Sequence, residues 1–218
     1  MPSSLPLSII TNMPLSTTQP CTYPLHLLLR AAVQWGLRKY ARFKEHLGIP
    51  IWEIIPGNDS GFMDRTQSAL DLIAKNDMRR FNRLAVHVGG ILHAGRVCLA
   101  SYQHGLGLCF VNYEAFDFAH SPEKKTIRYA IVLVHEATHA FLHNKRIPYT
   151  QRTHRRIEML CTMEEIRFAR RLRMVDVPTE EELWRKVDVD AWAPYWKSTR
   201  LQRLWHYLTV LKAEKRKT

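Results

Sequence analysis

Apolar residues recur at three- and four-residue steps in several long stretches of the chain, which is the spacing of a helix that buries one face. The helices predicted in this way cover residues 25–47, 65–77, 153–173 and 199–213, with a shorter one after Thr179. Gly48 and Pro50 end the first of them, because neither residue continues a helix well. The first and last parts of the chain are therefore expected to be helical.

The pattern changes between residues 83 and 112, where short runs rich in valine, leucine and phenylalanine are separated by glycines. Runs of this length and composition, bounded by turn residues, are typical of β-strands. The predicted strands cover residues 83–88, 96–100 and 106–111. We expect them to form a small antiparallel sheet of about three strands.

A further helix is predicted after Ser121, because a hydroxyl side chain, Pro122 and Glu123 together form a typical helix start. This helix is apolar on nearly every side between residues 130 and 134 and ends before Pro148. A helix without a polar face belongs in the interior. The chain is therefore expected to have an α+β fold in which the small antiparallel sheet packs on this buried helix and other helices flank it.

These elements predict one folded domain over residues 24–218, after a flexible tail at 1–23 that is rich in proline, serine and threonine. Within the domain we expect N-terminal helices at 24–80, the sheet at 81–113, the buried helix and its successor at 121–173, and C-terminal helices at 176–218.

Composition excludes several classes of protein. Of the 218 residues 46% are hydrophobic, so the chain can build a core and is not disordered throughout. Its formal net charge of +12 predicts attraction to nucleic acid or other polyanions. The four scattered cysteines form no C-x-x-C pair, which argues against a zinc ribbon or a disulfide framework. No secretory signal and no membrane-spanning segment is recognised, so a cytoplasmic protein is expected.

The chemistry is indicated by one motif on the buried helix, H-E-x-x-H at residues 135–139. Residues four apart on a helix lie about 40° apart around its axis, so His135 and His139 point the same way and can bind one metal ion. Glu136 projects to the side, where it can act on a water molecule without binding the ion. Two histidines and a glutamate are costly in a buried helix unless they have such a partner.

Val134 to Ala140, which contains the motif, resembles the active-site helix of the zincin metallopeptidases. The resemblance implies a zincin-like fold, a Zn²⁺ cofactor bound by His135 and His139, and Glu136 as general base. A hydrolytic zinc site also needs a third protein ligand and one open position. The longer motif H-E-x-x-H-x-x-G-x-x-H is absent, which argues against a metzincin site.

The third ligand has several candidates on the next predicted helix. Glu158 is placed as in gluzincins, where a glutamate from a following helix completes the site. Glu164 and Glu165 belong to a stretch similar to the E-x-x-x-F-A pattern of ImmA/IrrE-like peptidases, and His154 is spaced like the third histidine of SprT-like proteases. On the helical wheel His154, Glu158 and Glu165 line one flank of the buried side, whereas Glu164 falls in the apolar stripe. We favour Glu158 and keep the other three as alternatives.

The expected function is zinc-dependent hydrolysis of peptide bonds in a protein or peptide substrate. Glu136 would take a proton from the attacking water and return it to the leaving amine, while His154 or Tyr149 would donate a hydrogen bond to the oxyanion. Zincins commonly bind the substrate backbone along an edge strand beside the site. By that resemblance, residues 106–112 are predicted to be the edge strand.

Two alternatives remain at this stage. Residues 145–173 carry nine lysines and arginines against three acids, which would suit an SprT-like protease that acts on nucleic-acid-bound proteins. The chain could instead be a non-catalytic zinc-binding module with a regulatory or interaction role. In that case His154 and Glu158 together would close the site with four ligands.

Overall fold

A computed structural model describes residues 23–54, 61–93, 99–116 and 121–174. Most of the predicted N-terminal tail and all of the predicted C-terminal helices at 176–218 lie outside these residues. The helices are α1 (Tyr23–Tyr40), α2 (Phe62–Asn76), α3 (Met78–His87), α4 (Pro122–Asn144) and α5 (His154–Arg171). The strands are β1 (Arg42–His46), β2 (Ile49–Glu53), β3 (Ile91–His93), β4 (Ala100–Gln103) and β5 (Leu108–Val111). The predicted α+β class is confirmed.

The sheet is mixed, so the prediction of an antiparallel sheet of about three strands is wrong. Its five strands have the order β1-β2-β3-β5-β4 in the described residues. β3 runs parallel to both β2 and β5, whereas the outer pairs β1–β2 and β4–β5 are antiparallel. Parallel neighbours need a long crossover connection, and here α2 and α3 connect β2 to β3.

The edge strand differs from the prediction as well. Residues 106–112 contain β5, which lies between β3 and β4 and therefore has no free edge. The strand at the edge of the sheet beside α4 is β4. The turn at 104–107 follows β4 and leads into β5, which pairs with β4 on its inner side. The predicted edge strand is thus wrong by one strand of the same hairpin.

Residues 42–47 were expected to continue the first helix, but they form a hairpin with the following strand. His46 pairs with Ile49 across a loop of two residues. Both loop residues, Leu47 and Gly48, have positive φ angles, 50° and 78°. This is the loop geometry whose twist matches that of two paired antiparallel strands. The predicted N-terminal helices at 24–80 therefore include two strands.

Residues 83–88 were predicted to be a strand, but 83–87 form the second half of α3. The Asp77 side chain caps this helix by accepting a hydrogen bond from the Arg80 backbone N–H at 3.1 Å. The predicted helices at 65–77 and 153–173 are confirmed as α2 and α5.

The buried helix is also confirmed, as α4, and it positions the candidate site. Ser121 caps it by accepting a hydrogen bond from the Lys124 backbone N–H at 3.2 Å. Its apolar side chains join the main core together with α2 and the sheet, where Phe62, Tyr129 and Phe116 are fully buried. α3 and α5 both pack against α4. Among the described residues, no helix combines the length and the hydropathy that crossing a membrane requires.

Candidate metal centre

His135 and His139 converge on one point at the surface of α4 that faces α5. Their Nε2 atoms lie 3.0 Å apart, and their ring centroids are separated by 4.9 Å. One helical turn places the two rings side by side, as the four-residue spacing predicts. Their nitrogens therefore offer two ligand atoms to a single position.

Glu158 on α5 reaches the same position from the opposite side. Its Oε2 atom lies 3.4 Å from His135 Nε2, and its Oε1 atom lies 3.4 Å from His139 Nε2. The Tyr149 hydroxyl donates a hydrogen bond to Oε1 at 2.5 Å. Of the four candidates for the third ligand, Glu158 is the one placed between the two histidines.

Glu165 contacts the other nitrogen of His135. Its Oε1 atom lies 2.8 Å from Nδ1, on the far side of the ring from Glu158. A histidine that binds a metal through one nitrogen usually donates its other N–H to a carboxylate, a carbonyl or water, which fixes the ring. The Glu165 carboxylate lies where such a partner would be. The sequence had suggested Glu165 only as a possible third ligand.

Glu164 faces away from the histidines. It is buried, and its carboxylate pairs with Arg80 and Arg83 of α3 at 3.1 Å each and with Arg167 of α5 at 2.8 Å. Three guanidinium groups thus offset the free-energy cost of burying a carboxylate in the apolar stripe. Arg83 also donates a hydrogen bond to the Thr138 hydroxyl at 3.3 Å, which links the cluster to α4.

His154 lies one turn before Glu158 on α5. Its Nε2 atom is 3.8 Å from Glu158 Oε1, and the residue is buried. Burial lowers the pKa of His154, which favours its neutral imidazole. Tyr149 packs between His139 and His154, with ring centroids 5.6 Å and 5.3 Å away. Both residues sequence reasoning named as hydrogen-bond donors thus lie beside Glu158.

Cys161 is the neighbour that sequence reasoning did not consider as a ligand. Ligand atoms of His135, His139 and Cys161 all lie within 4.8 Å of one another. The thiol is fully buried, and this burial raises its pKa. Its three-residue spacing from Glu158 was the available signal, because residues three apart share a helix face.

Glu136, the residue after the first histidine, is buried next to the sheet edge. Its carboxylate accepts a hydrogen bond from the backbone N–H of Tyr102 in β4. Burial raises the pKa of Glu136, although His135 and His139 oppose that effect. A carboxylate with a raised pKa is a better proton acceptor than an exposed one.

The pKa values of Glu158 and His135 are shifted in opposite directions by their mutual contact. Burial would raise the pKa of Glu158, but the hydrogen bonds with His135 and His139 outweigh it, and the pKa is lowered. Burial would lower the pKa of His135, but hydrogen bonds with Glu158 and Glu165 outweigh it, and the pKa is raised. His135 and Glu158 thus each stabilise the charged form of the other.

The donor atoms fit zinc. Two imidazole nitrogens and one carboxylate are a ligand set of catalytic zinc sites, and a carboxylate beside the second nitrogen of one histidine completes the usual surroundings.

None of the family models, curated proteins and solved structures compared with this chain matches it.

Proposed function

We propose that this protein is a zinc-dependent metallopeptidase in which His135, His139 and Glu158 bind the ion. The observation that carries the proposal is the convergence of the two Nε2 atoms and the Glu158 carboxylate, each 3.0–3.4 Å from the next. His139 is buried and His135 and Glu158 are half-buried, so the three donor groups face one position that is largely withdrawn from water. The position of Glu165 on His135 Nδ1 supports the same proposal.

Zinc, when bound, acts as a Lewis acid that acidifies water and polarises a carbonyl group. The proposal gives Glu136 the role of general base; the hydrogen bond from the Tyr102 backbone N–H to its carboxylate, next to the histidines, supports this role. Glu136 accepts one proton from water as the oxygen adds to the scissile carbonyl carbon. As the C–N bond breaks, Glu136 returns that proton to the leaving nitrogen, so the products are a carboxylic acid and an amine, which ionise to a carboxylate and an ammonium group.

The substrate backbone would bind along β4, which takes the role predicted for residues 106–112. β4 is hydrogen-bonded on one side to β5 and has no strand on its other side among the described residues. An extended peptide can add to such an edge through main-chain hydrogen bonds. Because Tyr102 of β4 also contacts Glu136, a peptide on this edge would pass next to the general base.

The proposal is tested by metal content and hydrolysis measured on the same preparations. We expect purified wild type to hold one zinc per chain and to cleave an internally quenched peptide library. Glu136→Gln should keep the zinc and lose at least 100-fold in kcat/KM, whereas His139→Ala should lose both. Equal activity of wild type and Glu136→Gln would contradict the proposed role of Glu136 in peptide hydrolysis.

A second candidate function, a closed structural zinc site, is favoured by the position of Cys161 close to both histidines. If the thiolate binds together with Glu158, four protein ligands leave no position for water. Cobalt(II) substitution separates the two functions, because a thiolate ligand gives an intense charge-transfer absorption. If the protein is a peptidase, the cobalt-substituted wild type should lack that absorption. An absorption that is present in wild type and lost in Cys161→Ser would favour the structural site.

A further inference from the structure

Four aromatic side chains pack together beside the candidate metal centre and are here called the ring wall: Tyr102, His104, His143 and Tyr149. Tyr102 is buried, His104 and Tyr149 are half-buried, and His143 is exposed. The His104 ring contacts the other three, with centroid distances of 5.2 Å to Tyr102, 4.8 Å to His143 and 5.6 Å to Tyr149. The four residues come from the edge strand, the hairpin turn, the end of α4 and the segment before α5. The wall is thus assembled by the fold and not by one local motif.

The ring wall borders the path that a peptide on β4 would take. His104 directly follows β4, and Tyr102 within the strand contacts Glu136 through its backbone. His143 lies one helical turn beyond His139 on α4. Tyr149 completes the wall by packing on the His139 ring at 5.6 Å. A peptide that leaves the centre along the end of β4 therefore passes the wall.

The chemistry of the ring wall suits an uncharged aromatic group. None of its four side chains is an aspartate, glutamate, lysine or arginine. Burial, with help from His143 and His139, lowers the pKa of His104 to about 4, so this imidazole is neutral at pH 7. The His104 Nδ1 atom is buried without a hydrogen-bond partner among the described residues. Aromatic rings favour contact with other rings at centroid separations of 4.5–7 Å, the range found within the wall.

We propose that the ring wall is a specificity subsite that accepts an aromatic side chain of the peptide bound along β4. This inference rests on the proposed peptidase function and adds the class of substrate side chain. Basic side chains would find no free carboxylate in the wall, since Glu158 is engaged by the histidines and Tyr149. Basic side chains are therefore expected to be disfavoured at this position.

The test compares peptides of one sequence in which a single position on either side of the cleaved bond carries phenylalanine, alanine, glutamate or lysine. The readout is the ratio of kcat/KM for the phenylalanine peptide to that for the alanine peptide. At one position we expect a ratio of at least 10 for zinc-loaded wild type, in line with discrimination by apolar pockets. His143→Ala should reduce the ratio at least threefold, and His143→Phe should keep it because the ring is retained.

His46→Ala is the control, because His46 pairs with Asp71 on α2 and has no contact with the ring wall. It should leave the ratio unchanged. A wild-type ratio near 1 at every position, or a ratio that His143→Ala does not change, would overturn the subsite while leaving the peptidase proposal in place. Failure of zinc-loaded wild type to cleave any peptide would overturn both.

Discussion

The three glutamates of α5 have different partners because of their positions around the helix. Glu158 and Glu165 are seven residues apart, nearly two full turns, so both face the α4 histidines. Glu164 lies about 100° away from Glu165 around the axis and faces α3 instead. Glu164 and Glu165 are adjacent in the sequence, yet Glu165 contacts His135 whereas Glu164 pairs with arginines.

Glu165→Gln should weaken zinc binding while the site keeps all its ligands. The amide that replaces the carboxylate accepts a weaker hydrogen bond from His135 Nδ1, so the imidazole is less basic and less well oriented. Loss of such a partner typically lowers metal affinity by about 10–100-fold. Competition with a chromophoric chelator at pH 7.5 measures the change directly.

Glu45→Gln is the matched control for that measurement. Glu45 is an exposed carboxylate on β1, so the same chemical change there removes one negative charge without touching the histidines. Its zinc affinity should equal that of wild type. Equal affinities for Glu165→Gln and Glu45→Gln would show that Glu165 does not support a metal-binding His135.

Part of the candidate site could be predicted from the sequence, because the position of each of its residues depends on the geometry of a single helix. The four-residue spacing alone places His135 and His139 side by side, and the helical wheel of α5 alone puts Glu158 on the flank that faces them. Cys161 was missed because a cysteine among apolar residues is usually a core residue. Two of the three partners of Glu164, Arg80 and Arg83, were missed because they lie on α3, about eighty residues earlier in the chain.

At the scale of elements, α3 shows why a short helix can be mistaken for a strand. Its second half reads as a short apolar run, and such runs do not distinguish the two structures. The buried face of α3 consists of Arg80 and Leu84, so a charged residue interrupts the apolar periodicity that would have indicated a helix. Arg80 is tolerated there because Asp77 and Glu164 pair with it.

Glu164→Gln should therefore destabilise the packing of α3, α4 and α5. The variant removes the carboxylate that buried Arg80 and half-buried Arg83 share, and breaking a buried ion pair in this way costs about 3 kcal/mol or more. We expect the free energy of unfolding in urea to fall by about that amount. Metal-free protein should be used, so that any change at the candidate zinc site does not contribute.

An exposed ion pair provides the comparison for this variant. Asp64 pairs with Lys44 at 3.6 Å, and its side chain is 84% exposed. Because solvent screens such a pair, Asp64→Asn should change the stability very little. If both substitutions had the same small effect, the arginine cluster around Glu164 would not hold the helices together.

Gly90, just before the central strand β3, is a second point on which the packing of elements depends. Its φ is +153°, and an added Cβ would overlap the Trp52 ring and lie 2.9 Å from the Pro50 carbonyl oxygen. Gly90→Ala should lower the free energy of unfolding by about 2–3 kcal/mol through overpacking. Gly36→Ala, in α1 with open space around it, should instead add about 0.5–1 kcal/mol. Equal effects of the two substitutions in urea unfolding would contradict this prediction.

At the scale of the whole molecule, the fold class could be predicted but the strand order could not. Helical and β-type periodicities are local, and they were sufficient for α+β. The parallel pairing of β3 with β2 depends on α2 and α3 forming one crossover, and that crossover was hidden once 42–47 and 83–88 had been assigned the wrong element type. An error in two short segments thus changed the predicted sheet from mixed to antiparallel.

The candidate centre also connects two consecutive helices of the fold, because its candidate ligand residues belong to α4 and α5. An ion bound by His135, His139 and Glu158 would link these helices in the folded protein and have no comparable site in the unfolded chain. A ligand that binds only the folded state stabilises it by about 2.7 kcal/mol at a free concentration one hundred times its Kd. For a chain of this size that corresponds to about 5–10 °C in Tm.

Removal of zinc with a chelator should therefore lower the Tm of wild type by about 5–10 °C, and added zinc should restore it. His139→Ala should have the low Tm in both conditions, since one of the three ligands is absent. Glu136→Gln should respond to chelation as wild type does, because Glu136 is not a ligand in the proposed site. Differential scanning calorimetry of the three proteins, with and without chelator, makes the comparison. A Tm that chelation does not change in wild type would contradict tight binding of zinc by the folded protein.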